Sequence, residues 1–178
     1  GQFIVRPKNQ MREIDWEMTK KSGGHRLAVG IESLVDHIRY DMGKKFTFDD
    51  IVFSLEQAQK YDIKLVFLML TGYVTETQAD HEEQIRLFRE LIPYKDVIEL
   101  SLGTTLGILP GTPLYLQAAD RNIVPGKNEN TWVNTETGST YDIRHRRRLE
   151  LENELKNMGF AFSGVGDNLH NLMDKWND

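Results

Sequence analysis

Glu32 and Ser33 stand where a short apolar run, Leu27 to Ile31, stops and a helical pattern of Leu34, Val35, Ile38 and Met42 begins. A carboxylate at the carboxyl end of a buried strand, beside a helix amino terminus, sits where α/β proteins gather ligand chemistry. It can accept hydrogen bonds from a ligand, or do no more than favour the positive end of a helix dipole, worth about 0.3–1 kcal/mol. Ser33 and Asp36 have the spacing of a capping box. Lys44 follows that helix. It is either a ligand-pairing point charge or, like Lys45 beside it, an ordinary cation near a helix carboxyl end. Gly72 interrupts a second apolar run, KLVFLML at 64–70, and needs only its permissive φ to make a turn there. Glu76, in the same turn, reads as a capping or turn-stabilising residue. Arg6, at the end of the first strand, either faces the same mouth or is solvated or salt-bridged. Thr104, Thr105 and the GTPLY turn at 111–115 offer hydroxyls near a further strand end, as Ser/Thr loops commonly do. The basic run RHRRR at 144–148 spreads over several helix faces and is followed by Glu150, Glu152 and Glu154, which predicts a solvated face.

Several chemistries are excluded. There is no cysteine, so this chain supplies no disulfide, no thiolate nucleophile and no thiolate-held metal or iron–sulfur cluster. The histidines at 25, 37, 81, 145 and 170 form no pair at a metal-binding helical spacing. A net charge of -5 provides no basic field for nucleic acid. No apolar run approaches the ~20 residues of a membrane span, and the amino terminus GQFIVRPK is unlike a signal peptide. The expectation is a cytoplasmic protein with neither membrane nor nucleic-acid partner. The chain also reads as one that starts inside a larger unit, at the first residue of a strand.

The elements that must position these residues follow from periodicity. QFIVR at 2–6 reads as a strand closed by Pro7. Met11, Ile14 and Met18 mark a helix over 10–22, stopped by Gly23-Gly24. The strand and helix of the junction follow, ending near Gly43. Thr47 and Asp50 cap a helix with Ile51, Leu55 and Ala58 inside. KLVFLML is apolar enough for a strand covered on both faces, as in parallel sheets. Thr77 and Asp80 cap a helix with Ile85, Phe88 and Ile92, ended by Pro93. VIELSL at 97–102 is the next strand. TWVN and STYDI flanking TETG read as a small hairpin. Residues 143–158 form a helix with Leu151, Leu155 and Met158 inside, and the end of the chain gives a strand-like piece and a short amphipathic helix. Trp132, Tyr141 and Trp176 read as packing residues. The alternation predicts an α/β fold: an open parallel sheet of about four strands flanked by helices, too few for a closed barrel.

LAVGIESLVDHIRYDMGKKFTFDDI resembles the central segment of radical S-adenosylmethionine enzymes, where a Gly-Ile-Glu-Ser turn leads into a helix ending Met-x-Lys. KLVFLMLTGYVTETQADHEEQI is similar to that family's next strand and Gly-x-Pro-x-Glu-Thr turn, with Val74 in place of the usual proline. ILPGTPLY resembles a Gly-Thr-Pro-Leu element found after a further strand in the branch with many cobalamin-associated members. The resemblance implies residues 1–116 as the carboxyl-terminal portion of a partial TIM-type barrel, with 117–178 a polar loop, hairpin and helical extension packed on the same domain. It also implies that two strands and the cysteine-bearing cluster loop are missing. In the parent, a 4Fe–4S cluster would cleave S-adenosylmethionine reductively to a 5′-deoxyadenosyl radical acting on an unknown substrate. This chain would contribute Glu32 for the ribose hydroxyls, Lys44 for the methionine carboxylate, the backbone at Gly72 for the adenine, and Ser33 and Thr104 nearby. It would do no radical chemistry alone. Its partners would be the missing amino-terminal part of the barrel, or a second copy through the exposed edge strand at 2–6. The rival reading is a non-catalytic α/β binding or assembly module.

Overall fold

A computed structural model describes the backbone of Ile4–Val5 and all of residues 11–163. Five parallel strands form one sheet in the order β1-β2-β3-β4-β7: β1 Ile4–Val5, β2 Arg26–Glu32, β3 Lys64–Thr71, β4 Ile98–Thr105 and β7 Ala161–Phe162. The helices are α1 Glu13–Lys21, α2 Asp36–Asp41, α3 Phe48–Lys60, α4 Gln78–Glu90, the short α5 Pro113–Leu116 and α6 Tyr141–Asn157. The expected open α/β sheet is present. The four strands foreseen are β1 to β4, and β7 adds two residues beside β4.

Cross-strand register explains the core. Leu27, Leu65 and Ile98 lie side by side, and so do Val29, Phe67 and Leu100. These rows pack with Ile51, Leu55, Phe88, Leu151 and Leu155 of the helices, all buried. Each such side chain stabilises the fold by about 1.5–3 kcal/mol through lost water contact. The predicted boxes at Thr47/Asp50 and Thr77/Asp80 both form, each hydroxyl accepting from the backbone three residues on at 3.2 Å. They fix where α3 and α4 begin, and hence where β2 and β3 hand over to their crossovers.

Five expectations are corrected. In α1 the inward residue is Trp16, while Ile14 and Met18 are about half exposed, because the docked face turns on Met11 and Trp16. Ser33 and Asp36 make no capping box. The Ser33 hydroxyl bonds to Gln84, and α2 starts from Val35 without a side-chain cap. Ile92 lies outward, since the helix gives way at Leu91 to a 3-10 turn, Ile92–Val97. The hairpin is also different. Val133–Asn134 (β6) pairs antiparallel with Ile123–Val124 (β5), while Asn134 Oδ1 accepts from the Glu136 and Thr137 amides and Thr140 caps α6. Tyr141 is exposed and stacks on His145. Trp132 is buried, as a packing residue should be. Arg6, Pro7, Trp176 and the terminal amphipathic helix lie outside the described residues.

Candidate functional site

The exit of β2 is an irregular corner. Its pairing with β3 slips between Gly30 and Glu32, and Glu32 has φ 63, a left-handed conformation uncommon outside glycine. A slipped register of this kind re-aims a side chain. Glu32 Oε1 lies 3.0 Å from Lys44 Nζ, which also donates to the Gly30 carbonyl at 2.9 Å. Gly30 makes that approach possible, since a Cβ there would sit 3.0 Å from Nζ and 3.1 Å from Oε1. The two side chains are 27% and 30% exposed, so the pair faces solvent and contributes only about 0.2–1 kcal/mol. A lysine ammonium has three donors, and two are engaged at this corner. A pair this weakly held can exchange partners for a ligand's hydroxyls and carboxylate.

The corner is held from behind. The buried Arg39 guanidinium donates to Ser33 O at 2.6 Å and Phe46 O at 3.3 Å, pairs with Asp36 and lies over the Phe46 ring. The Lys44 amide donates to Arg39 O at 2.9 Å. Ser33 Oγ donates to Gln84 Oε1 at 2.8 Å and accepts the Val35 amide at 3.1 Å. Ser33 is therefore committed to fastening the β2 exit onto α4.

The exit of β3 is closed. Gly72 has φ 76, and its amide donates to Glu76 Oε2 at 3.0 Å. Burial pushes the Glu76 carboxyl above its ordinary value, opposed by the Gly72 amide and Arg147. Its Oε1 has no hydrogen-bond partner, and Arg147 Nη1 is 3.6 Å away. Arg147 also donates to Glu76 O at 3.1 Å and Gln78 Oε1 at 3.1 Å. Next to the glycine, Tyr73 is pushed up to about 12 by burial and by Asp41, which bonds Arg121 at 2.7 Å. These three residues, with Met42, Leu114 and Gln117, line a cleft of ≈ 330 Å³.

At the exit of β4, Thr104 is exposed and Thr105 is buried opposite Thr71. Arg148 Nε donates to Gly103 O at 2.9 Å. Of the sequence candidates, Glu32 and Lys44 meet directly. Gly72 and Thr104 stand at neighbouring strand ends, with no described hydrogen bond joining them to that pair.

The basic run is the clearest correction. Arg144, Arg147 and Arg148 are buried, and burial holds Arg144 down to about 10. The missed signal was their spacing: positions 144, 147 and 148 share one helix face with Leu151 and Leu155. Arg39 was missed as well, and its position one residue after the inward Ile38 gave no helical-face signal for its burial.

Among the described residues no cluster of three His, Asp or Glu could hold a metal ion. With no cysteine, an iron–sulfur cluster has no thiolate ligand in this chain and does not fit it. The Glu32–Lys44 corner offers one carboxylate and one ammonium, both partly exposed.

No family model matches the chain. Archaeosine synthase subunit beta of Methanosarcina acetivorans is 40% identical over 85 residues, covering 46% of this chain and 24% of that protein. A structure of the radical S-adenosylmethionine methyltransferase TsrM from Kitasatospora setae, with cobalamin and a 4Fe–4S cluster bound, aligns with a TM-score of 0.54 at 16% identity, over 82% of this chain and 30% of that one. A second TsrM structure, with tryptophan substrate and an S-adenosylmethionine analogue, gives 0.53 at 20% identity, over 67% and 22%. The chain thus spans about a quarter of the curated relative and less than a third of the solved chains. Its fold resembles part of the fold of those TsrM structures.

Proposed function

We propose that this chain forms part of the S-adenosylmethionine site of a radical S-adenosylmethionine enzyme whose remaining parts lie in additional polypeptide. The observation that carries the reading is the Glu32–Lys44 pair, with Oε1 and Nζ 3.0 Å apart at the carboxyl end of a central parallel strand and open to solvent. Glu32 accepts the ribose hydroxyls, Lys44 pairs with the methionine carboxylate, and Gly72 and Thr104 border the adenosine. The fold likeness to TsrM and the identity with archaeosine synthase subunit beta support the same role. When bound beside a reduced iron–sulfur cluster, S-adenosylmethionine supplies radical chemistry. That cluster belongs to the additional polypeptide, which completes the barrel begun by residues 1–116. Residues 117–178 extend that portion, and the whole acts in the cytoplasm on a substrate set by the complete enzyme.

In this reading the edge strand β1, which is paired on one side with β2 at Ile4–Ala28 and Val5–Val29, is where the additional polypeptide or a second copy joins. Light scattering at high concentration checks this, with a dimer expected and a clean monomer counting against self-association.

A non-catalytic binding or assembly module is the second reading. It is favoured by the absence of thiolates and by the Gly72 amide being already bonded to Glu76. Titrating 5′-deoxyadenosine to millimolar concentration separates the two. Saturable binding that is lost in Glu32→Ala supports the cofactor half-site, and no response in the intact chain supports the module.

A further inference from the structure

Gly72 rests on an arginine. A Cβ built there would lie 2.5 Å from Cδ, 2.7 Å from Cγ and 2.9 Å from Cβ of Arg144, so the arginine stem runs along the face of the glycine and fills the space a side chain would need. The guanidinium beyond that stem is fastened at several points. Nη2 donates to Asn130 O at 2.6 Å and Trp132 O at 3.1 Å, Nη1 donates to Ser139 Oγ at 3.3 Å, and the group lies 3.5 Å over the Trp132 ring. Arg144 is 0% exposed, and among the described residues no carboxylate forms an ion pair with it. A charge buried on neutral partners, with no carboxylate paired to it, is costly, and filling space would need only a leucine or methionine. The planar fork does what an apolar side chain cannot: it holds two carbonyls and a hydroxyl of the 130–139 segment while its stem meets the turn.

We infer that Arg144 is a positioning residue for the turn at Gly72. Through it, the segment from Asn130 to Ser139 sets the backbone surface offered at the exit of β3. Arg147 and Arg148, on the same face of α6, secure Glu76 O and Gly103 O and so complete a brace across the exits of β3 and β4. That this surface meets an adenosine rests on the function proposed above. The placement of the turn by Arg144 does not. Arg144 touches no ligand and acts only through the backbone it supports.

The test uses the full chain labelled with ¹⁵N and 5′-deoxyadenosine as the probe, reading the Gly72 amide resonance and the nucleoside dissociation constant. Arg144→Ala is expected to move the Gly72 amide and weaken nucleoside binding about tenfold. Arg144→Lys, which keeps the stem and replaces the planar fork by an ammonium, should move both, but less than Arg144→Ala does. Leu155→Ala, a cavity in the same helix, controls for general loosening and should lower stability without moving the Gly72 amide. If Arg144→Ala does not fold, Arg144→Met decides: it keeps stem length with no donor, and should shift the amide more than Arg144→Lys does. An unmoved Gly72 amide in a folded Arg144→Ala or Arg144→Met variant overturns the inference, and so does an equal shift in Leu155→Ala. If the wild-type chain ignores the nucleoside altogether, the proposed function fails while the amide shifts still decide the role of Arg144.

Discussion

The exits of β2 and β3 are built in opposite ways. At β2 a carboxylate and an ammonium meet in the open, each nearly a third exposed, and the ammonium also holds the Gly30 carbonyl. At β3 the backbone turn is buried, its amide is taken by Glu76, and its underside is filled by Arg144. The first arrangement is exchangeable because solvent screens it and little energy holds it. The second is fixed, because every change there disturbs packing or strands a buried polar group. A ligand crossing both exits would gain its polar recognition at β2 and its shape at β3.

Breaking the fixed side should cost most. Gly72→Ala places a Cβ in a left-handed conformation and against the Arg144 stem, and a loss of about 3 kcal/mol or more is expected in urea denaturation. Arg147→Ala removes two donors from the turn and leaves Glu76 without its nearest cation. A loss of about 2 kcal/mol, again by denaturation, is expected.

The acid behaviour of Glu76 gives a smaller and more specific effect. Its folded pKa lies above the ordinary 4.5, so the folded state binds this proton more tightly than the unfolded chain does. Its contribution is complete below about pH 4.5 and is lost as pH rises through the folded pKa. Glu76→Gln should therefore show less loss of stability than wild type as pH rises above about 4.5. Buried His81, beside Glu150 at 3.2 Å, works the other way. Burial holds its pKa below 6.5, so it costs stability as pH falls, and the Glu76 effect is read as the difference between wild type and variant. A pH profile unchanged by Glu76→Gln would remove the carboxyl from the account of the turn.

The open side should hardly register in stability. Gly30→Ala pushes on the flexible end of Lys44, so thermal unfolding should change by no more than about 0.5 kcal/mol. Nucleoside binding should weaken several-fold all the same. A large stability loss would mean that the corner is as rigid as the Gly72 turn, and the contrast between the exits would disappear.

The legibility of these regions follows the same division. The four main strands, α3 and α4 are legible because apolar period and capping boxes are local signals that tertiary packing does not contradict. Ser33 misled because its hydroxyl found Gln84, a partner 51 positions away that spacing along the chain cannot show. The Glu32–Lys44 pairing was foreshadowed only as two residues flanking one helix. The slipped register and positive φ that bring them together are three-dimensional facts. The arginines escape a sequence reading for a physical reason: charge along a helix suggests solvent, whereas carbonyls at strand exits satisfy guanidinium forks just as well. The hairpin failed because Asn134 and Thr140 used their side chains to end and begin other elements.

Glu32 and Lys44 are proposed as a receptive corner for the polar groups of S-adenosylmethionine, and everything functional rests on that. The most direct test is a titration of the ¹⁵N-labelled chain with S-adenosylmethionine to millimolar concentration, followed by amide resonances and repeated on Glu32→Ala. Saturable shifts centred on residues 30–33, 44 and 72 are predicted in the wild type, with those shifts gone in the variant. A chain silent at millimolar ligand, or a Glu32→Ala variant that binds as well as wild type, would contradict the proposed role of this corner.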